Sequence, residues 1–348
     1  MIYLMRFLAI IMVLGIIACA DNNGSSSHQS ANALTIAFGS CNRANKDQPM
    51  WSEILRQEPD LWIWLGDNIY GDTDNMDTLK HKYQKQLSNP GYQNFRNNVE
   101  VIGTWDDHDY GINDGGKGYR QKVESQQLFL DFIGESTPSQ RRSQRGIYTS
   151  YLKEAGDLRI KILLLDTRYH RDTVLTENRA CLPNESGDIL GQEQWQWLSH
   201  ELKKNEGDVH IIASSIQVIP EEHAYEKWAN FPKAKQRLFD LVVESKASGV
   251  FFLSGDRHMA EFSKADLPRL TYPIYDLTSS GLTHVRSKDA KEFNEYRLGP
   301  MITELNFGLL QIRKDRETTS VKAFVRGLNN AVYLQKAFQF INRQTGDS

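Results

Sequence analysis

The chain has 348 residues, enough for one large domain or two small ones, and 40% are hydrophobic, which fits a globular protein with a substantial core. A formal charge of −3, from 41 basic and 44 acidic residues, excludes the strongly basic stripe of a general nucleic-acid-binding domain. No run of like charge marks an interaction tail, and nothing in the sequence points to a protein partner.

Residues 1–18 read as an export leader: Arg6 supplies the positive start and residues 7–18 an apolar stretch too short for a spanning helix. Ile16-Ile17-Ala18-Cys19 resembles a bacterial lipobox. That resemblance implies cleavage before Cys19, acylation of Cys19, and a tether over residues 19–33 rich in Asn and Ser. Several acyl chains anchor a protein stably where one is marginal. The competing reading is an ordinary secreted protein cleaved near Ala20. The lipoprotein reading makes the chain exported, held in the cell envelope and attached to membrane through Cys19. Ala20 after the cysteine leans towards the outer membrane, or the periplasmic face, of a Gram-negative cell. Two cysteines remain in the mature chain, Cys41 and Cys181, and export allows them to pair.

Residues 34–38 read as a first strand that empties into Gly39-Ser40-Cys41-Asn42, and a helix follows from Pro49. Residues 61–65, Leu-Trp-Ile-Trp-Leu, read as a strand buried on both faces, stopping at Gly66-Asp67. Residues 77–87 have helical spacing at Leu79, Tyr83 and Leu87. Residues 99–105 form a third strand and run into Asp106-Asp107-His108-Asp109, before a glycine-rich loop at 111–118 and a helix at 121–133. A strand at 159–165 ends in Asp166-Thr167-Arg168; residues 172–188 have turn composition and read as a surface excursion. Helices at 192–204 and 233–245 alternate with strands at 209–213 and 250–253, the last ending in Ser254-Gly255-Asp256-Arg257-His258. Alternating runs at 308–313 and 320–326 suggest antiparallel strands. With no internal repeat and no mid-chain linker, residues 34–346 read as one catalytic domain of α/β class, its site at the carboxyl ends of the strands.

Those strand ends gather Cys41, Asp67, Tyr70, Asp107, His108, Asp109, Asp256 and His258, which is a metal-ligand set of thiolate, phenolate, carboxylate and imidazole. Single signals are weak, since a lone Gly-Asp after a strand is usually a turn. Tyr70 competes with simple core packing, and a disulfide to Cys181 competes with a metal role for Cys41. His81, His170, His210, His223 and His284 are left as surface or packing residues, and the tryptophans around Trp62 and Trp195 as core.

Gly39-Ser-Cys41, Leu65-Gly-Asp-Asn-Ile-Tyr70, Thr104-Trp-Asp-Asp-His-Asp109, Asp166-Thr-Arg168 and Ser254-Gly-Asp-Arg-His258, in that order, resemble the calcineurin-like metallophosphatases and, within them, the PhoD-like alkaline phosphatases and phosphodiesterases. The resemblance implies a four-layer αββα sandwich of mixed sheets. It also implies a metal-dependent phosphoric ester hydrolase in which a metal-bound hydroxide at a two-metal centre attacks a phosphate ester, more readily a diester. Metal ligands would be Cys41, Asp67, Tyr70, Asp107, Asp256 and His258, with Asp67 as the bridge. Thiolate and phenolate suit Fe(III), and hard carboxylate oxygens suit Ca(II) at the second position. Ser214, Ser215 and Gln217 stand where the larger family keeps another histidine, so oxygen and water would hold the second ion.

His108 is the expected general acid, with Asp109 as its orienting carboxylate. Arg168 is the expected phosphate clamp, with a structural ion pair to Asp166 as the even alternative. An alkaline phosphomonoesterase and a non-catalytic metal- or phosphate-binding lipoprotein are the alternative functions. A serine hydrolase using Ser40 or Ser254 lacks the Gly-x-Ser-x-Gly elbow, and His258 lies too near Ser254 in sequence.

Overall fold

The alternation in Leu61-Trp62-Ile63-Trp64-Leu65 sends successive side chains to opposite faces of a strand, and both faces are buried. Leu61, Ile63 and Leu65 pack between two sheets, while Trp62 and Trp64 pack beneath helices. The same split recurs in the second sheet, where Ile160, Ile162 and Leu164 face inward and Leu163 and Leu165 face outward. Layers of helix, sheet, sheet and helix follow from this period of two.

A computed structural model describes residues 32–342; the leader, Cys19 and the tether up to residue 31 lie outside them, as do residues 343–346 of the expected domain. The strands are β1 Ala33–Gly39, β2 Leu61–Leu65, β3 Glu100–Thr104, β4 Thr149–Ala155, β5 Leu158–Leu164, β6 Leu175–Glu177, β7 Ala180–Leu182, β8 Val209–Ala213, β9 Val250–Ser254, β10 Ala260–Ala265, β11 Ile274–Ser279, β12 Phe307–Lys314, β13 Thr318–Arg326 and β14 Val332–Ile341. The helices are α1 Met50–Leu55, α2 Met76–Leu87, α3 Pro90–Asn98, α4 Asp107–Tyr110, α5 Lys122–Ile133, α6 Gly191–Lys204 and α7 Pro232–Ser245.

One sheet has the order β14-β13-β12-β1-β2-β3 and the other β10-β11-β9-β8-β5-β4. β1, β2 and β3 run parallel, as do β5, β8, β9 and β11, with antiparallel strands at the flanks. Helices α1, α2, α3 and α5 cover the first sheet through Trp51, Leu79, Tyr83, Tyr92, Phe95 and Phe129, and α6 and α7 cover the second through Trp195, Leu198, Leu238 and Val242. Trp51, Trp62 and Trp64 meet edge-on at 5.3–5.4 Å, and Trp64 Nε1 donates to Tyr92 Oη at 2.9 Å. Asn75 and Asn89 cap α2 and α3 by accepting from Thr78 N and Tyr92 N.

The expected fold class is met, including the mixed sheets. The 172–188 excursion is more ordered than its composition implies, because it carries the β6–β7 hairpin, with Leu175 paired to Leu182. Helix α3 also escaped the sequence reading; its polar exposed face hides a stripe of only Tyr92 and Phe95.

The carboxyl ends of the parallel strands of both sheets meet at one edge, and two glycines permit the approach. A Cβ at Gly255 would lie 2.5 Å from Ser40 Oγ and 2.8 Å from the Leu65 carbonyl. At Gly66, with φ +90°, a Cβ would lie 2.4 Å from Asp106 Cβ.

Candidate metal centre

The ends of β1, β2 and β9 deliver polar side chains from turns in the left-handed region, which side chains adopt only at a cost. Cys41, Asp67, Asp72, Asp256 and His258 all have positive φ. After β1, Cys41 Sγ lies 3.5 Å from Asp67 Oδ2, which comes from the end of β2. Tyr70 Oη is 3.1 Å from the same Asp67 oxygen and 3.0 Å from His258 Nε2, which follows β9. Donor atoms of Cys41, Asp67 and His258 lie within 4.8 Å of one another; so do those of Asp67, Asp107 and His108, and those of Asp106, Asp107 and Asp256. The six expected ligands therefore gather at one place. Asp67 belongs to two of these groups, on the soft and the hard side.

The electrostatics fit a cation. Burial, reinforced by Asp67 and Asp256, raises the Cys41 thiol well above its usual range, and burial with Asp67 and Cys41 does the same to the Tyr70 phenol. Burial also pushes Asp67 well up and Asp256 up to about 7, with Asp107 adding to both. Asp67 Oδ1 and Asp106 Oδ2 are buried with no hydrogen-bond partner among the described residues. Anionic donors packed this tightly, with orphaned oxygens, suit positive charge. Both Cys41 and Cys181 are free thiols, so the disulfide that competed for Cys41 is not formed.

Three expectations change in the structure. Asp109 does not orient His108. It is fully buried, and its carboxylate accepts from the backbone N–H groups of Asp67, Asn68 and Asp106 and from Asn68 Nδ2, so it fixes the turn that presents Asp67. The carboxylate at His108 is Asp72, whose Oδ1 lies 2.6 Å from His108 Nδ1. Burial opposes charge on His108, but the Asp72 hydrogen bond and the Asp67 and Asp107 charges outweigh it and push the imidazole up to about 10. One turn of helix, α4, explains the swap: Asp109 points back into its N-terminus while His108 points out.

Arg168 is not placed to clamp phosphate. Its side chain is 0% exposed, with Nε 2.6 Å and Nη2 2.5 Å from Asp106 Oδ1 and Nη1 2.7 Å from Glu226 Oε2. The ion pair is with Asp106 and Glu226, not Asp166, which accepts the Arg168 backbone N–H. Ser215 Oγ also donates to Asp106, at 2.6 Å, and Gln217 is tied to Glu261 and Thr278.

The third change is an addition. His284, left unassigned by sequence, places Nε2 2.9 Å from Tyr70 Oη, and its ring centroid is 4.4 Å from that of His258. It follows β11 as Ser-Ser-Gly-Leu-Thr-His, the same strand-then-glycine grammar as the other ligands, which was the signal available to find it.

A cavity of about 590 Å³ opens on the hard side, lined by Asp107, His108, Asp256 and His258 and by Arg179, Arg257 and Arg286. The β6–β7 hairpin forms one wall through Thr176 and Cys181. Tyr225 stands at the rim between two guanidinium groups, Arg257 at 4.3 Å and Arg286 at 4.9 Å from its ring centre.

A sequence model described as PhoD-like phosphatase matches residues 36–293, a span that contains every residue of this centre. The chain belongs to the PhoD-like phosphatase family. Alkaline phosphatase D of Bacillus subtilis (strain 168) is 22% identical over 271 residues, covering 65% of this chain and 46% of that protein. The chain thus spans about half the length of this curated relative. Among solved structures, that of PhoD superposes with a TM-score of 0.71 at 17% identity, covering 90% of this chain and 71% of the other. GAP50, described as the anchor in the inner membrane complex of Plasmodium, reaches 0.58 at 13% identity and 90% of each chain. At these identities the likeness is one of fold.

Proposed function

We propose that the chain is a metal-dependent phosphoric ester hydrolase that prefers diesters. The observation that carries this reading is the convergence of Cys41, Asp67, Tyr70, Asp107, Asp256 and His258 beside a cavity into which His108 projects. Cys41, Tyr70, Asp67 and His258 would hold one ion and Asp67, Asp107 and Asp256 another, the donor types favouring Fe(III) and Ca(II) respectively. Two ions so held supply charge neutralisation for attacking and leaving oxygens.

The rest is work for the chain's own groups. With Nδ1 taken by Asp72, His108 holds a proton at Nε2 for the departing alkoxide. Asp109 keeps the Asp67 turn rigid, and the Arg168–Asp106 pair keeps the β3 end in place. A cavity of about 590 Å³ has room for an ester with two organic arms, which favours diesters over small monoesters.

Hydrolysis of a chromogenic phosphodiester at alkaline pH tests the reading. Turnover should vanish with a calcium chelator and return with added calcium. Turnover indifferent to chelation would sink the calcium assignment, and absence of turnover in iron- and calcium-loaded protein would point first to an alkaline phosphomonoesterase and then to a binding lipoprotein.

Residues 34–346 are proposed as the catalytic domain, exported behind a leader at 1–18 and tethered to the envelope membrane by lipid on Cys19. Mass spectrometry of the mature N-terminal peptide should find acylated Cys19; an unmodified terminus near Ala20 would overturn the anchor.

A further inference from the structure

A second cleft, of about 350 Å³, is bounded by Arg43, Tyr70, Asp72, His81, Lys82 and Lys85. Lys82 and Lys85 are three residues apart on α2 and share a face, and Arg43 reaches over from the segment between β1 and α1. Arg43 stacks its guanidinium 4.1 Å above the Tyr70 ring, and its Nε meets His284 Nε2 at 3.4 Å. Its two terminal nitrogens have no hydrogen-bond or ion-pair partner among the described residues. Lys82 Nζ is held by two backbone carbonyls, Tyr70 at 3.0 Å and Gly71 at 2.6 Å, which fix its position without neutralising it. The Lys85 ammonium has no partner among the described residues. The single acid of the cleft, Asp72, is engaged by His108 at 2.6 Å.

Three cations converging on a groove whose one lining carboxylate, Asp72, is taken by His108 repel one another and concentrate anions. A guanidinium fork with two point charges beside it matches a tetrahedral oxyanion. Tyr70 joins the cleft to the metal centre, since its hydroxyl meets Asp67 and His258 while its ring meets Arg43.

We propose that this cleft is a second phosphate-binding subsite, which takes a phosphate group other than the one being cleaved. That phosphate would be either a distal group of the same substrate or free inorganic phosphate. The first source rests on the hydrolase reading above; the second does not.

Lys85→Glu is the informative variant, because Lys85 supports no contact whose loss would unfold the chain. Release of 4-nitrophenolate is followed from thymidine 5′-(4-nitrophenyl phosphate) and from the same ester carrying a 3′-phosphate. A KM about tenfold lower for the 3′-phosphorylated ester, lost in Lys85→Glu, establishes the subsite and its source as the substrate. No such advantage, with inhibition by inorganic phosphate weakened about tenfold in Lys85→Glu, establishes it for free phosphate. Lys85→Glu matching the parent protein in both measurements overturns the proposal. If the parent protein cleaves neither ester, the hydrolase reading fails, and titration calorimetry with inorganic phosphate decides the cleft alone. A dissociation constant weakened about tenfold in Lys85→Glu keeps it, and an unchanged one removes it.

Discussion

In His108→Ala, turnover of a chromogenic phosphodiester should fall by about 10²–10⁴-fold while the bound metal content stays the same. The residue projects from a one-turn helix into the cavity, its ring centroid 4.2 Å from that of Tyr70 and its Nδ1 tied to Asp72. That arrangement leaves Nε2 as the free end of the ring. Asp72 and Asp109 differ in what they hold, so their amides should fail differently. Asp72→Asn keeps the turn but weakens the orientation of the imidazole, and should lower kcat by about tenfold with KM little changed. Asp109→Asn replaces one of two accepting oxygens with an NH2 facing the backbone N–H groups of Asp67 or Asn68 and should cost metal affinity and stability instead. The geometry also supplies the rival: a ring nitrogen of His108 lies within 4.8 Å of carboxylate oxygens of Asp67 and Asp107, close enough for all three to share an ion. Metal lost together with activity in His108→Ala would make the imidazole a ligand and end its role as the acid.

What was legible in the sequence was what a single strand end can say. Each apolar run closing in Gly-Asp, Ser-Cys or Asp-Arg-His announces a polar group at the edge of a sheet, and Cys41, Asp67, Asp107, Asp256 and His258 do lie at that edge. The layer order was legible too, because Trp62 and Trp64 alternate with Leu61, Ile63 and Leu65 and demand cover on both faces. Direction within a turn was not legible. Asp106, Asp107, His108 and Asp109 are adjacent in sequence, yet backbone geometry sends Asp106 to Arg168, Asp109 into the helix N-terminus and His108 to Asp72. Adjacency gave Asp109 as the partner of His108; the fold supplies a residue 36 positions earlier. Arg168 followed the same pattern, since a guanidinium at a strand end looks alike whether it meets substrate or a buried carboxylate. His284 was passed over for a different reason: its strand, Ile-Tyr-Asp-Leu-Thr-Ser, interrupts the apolar run with Asp276, which the fold buries by hydrogen bonds from Ser254, Val218 and Ile219.

Arg168→Ala should destabilise the protein by about 3–5 kcal/mol, measured as the shift in a urea unfolding midpoint. The guanidinium is fully enclosed, as is Asp106, and Glu226 is nearly so, so alanine leaves a buried carboxylate without its counter-charge. Glu226 retains Arg171, whose Nε stands 3.0 Å from its Oε1, whereas Asp106 retains only the Ser215 hydroxyl among the described residues. Asp106 is already raised by burial, with Arg168 the main opposing influence; without Arg168 it should take up a proton on folding. Because total stability of a domain is about 5–15 kcal/mol, the variant should sit near the edge of folding at 37 °C. A partner variant separates charge from space: Arg168→Met with Asp106→Leu removes both charges together and should recover much of the loss. Affinity for substrate decides between the two roles of the residue. A phosphate clamp predicts a stable Arg168→Ala protein with a raised KM, whereas the buried pair predicts an unstable protein whose folded fraction keeps its KM.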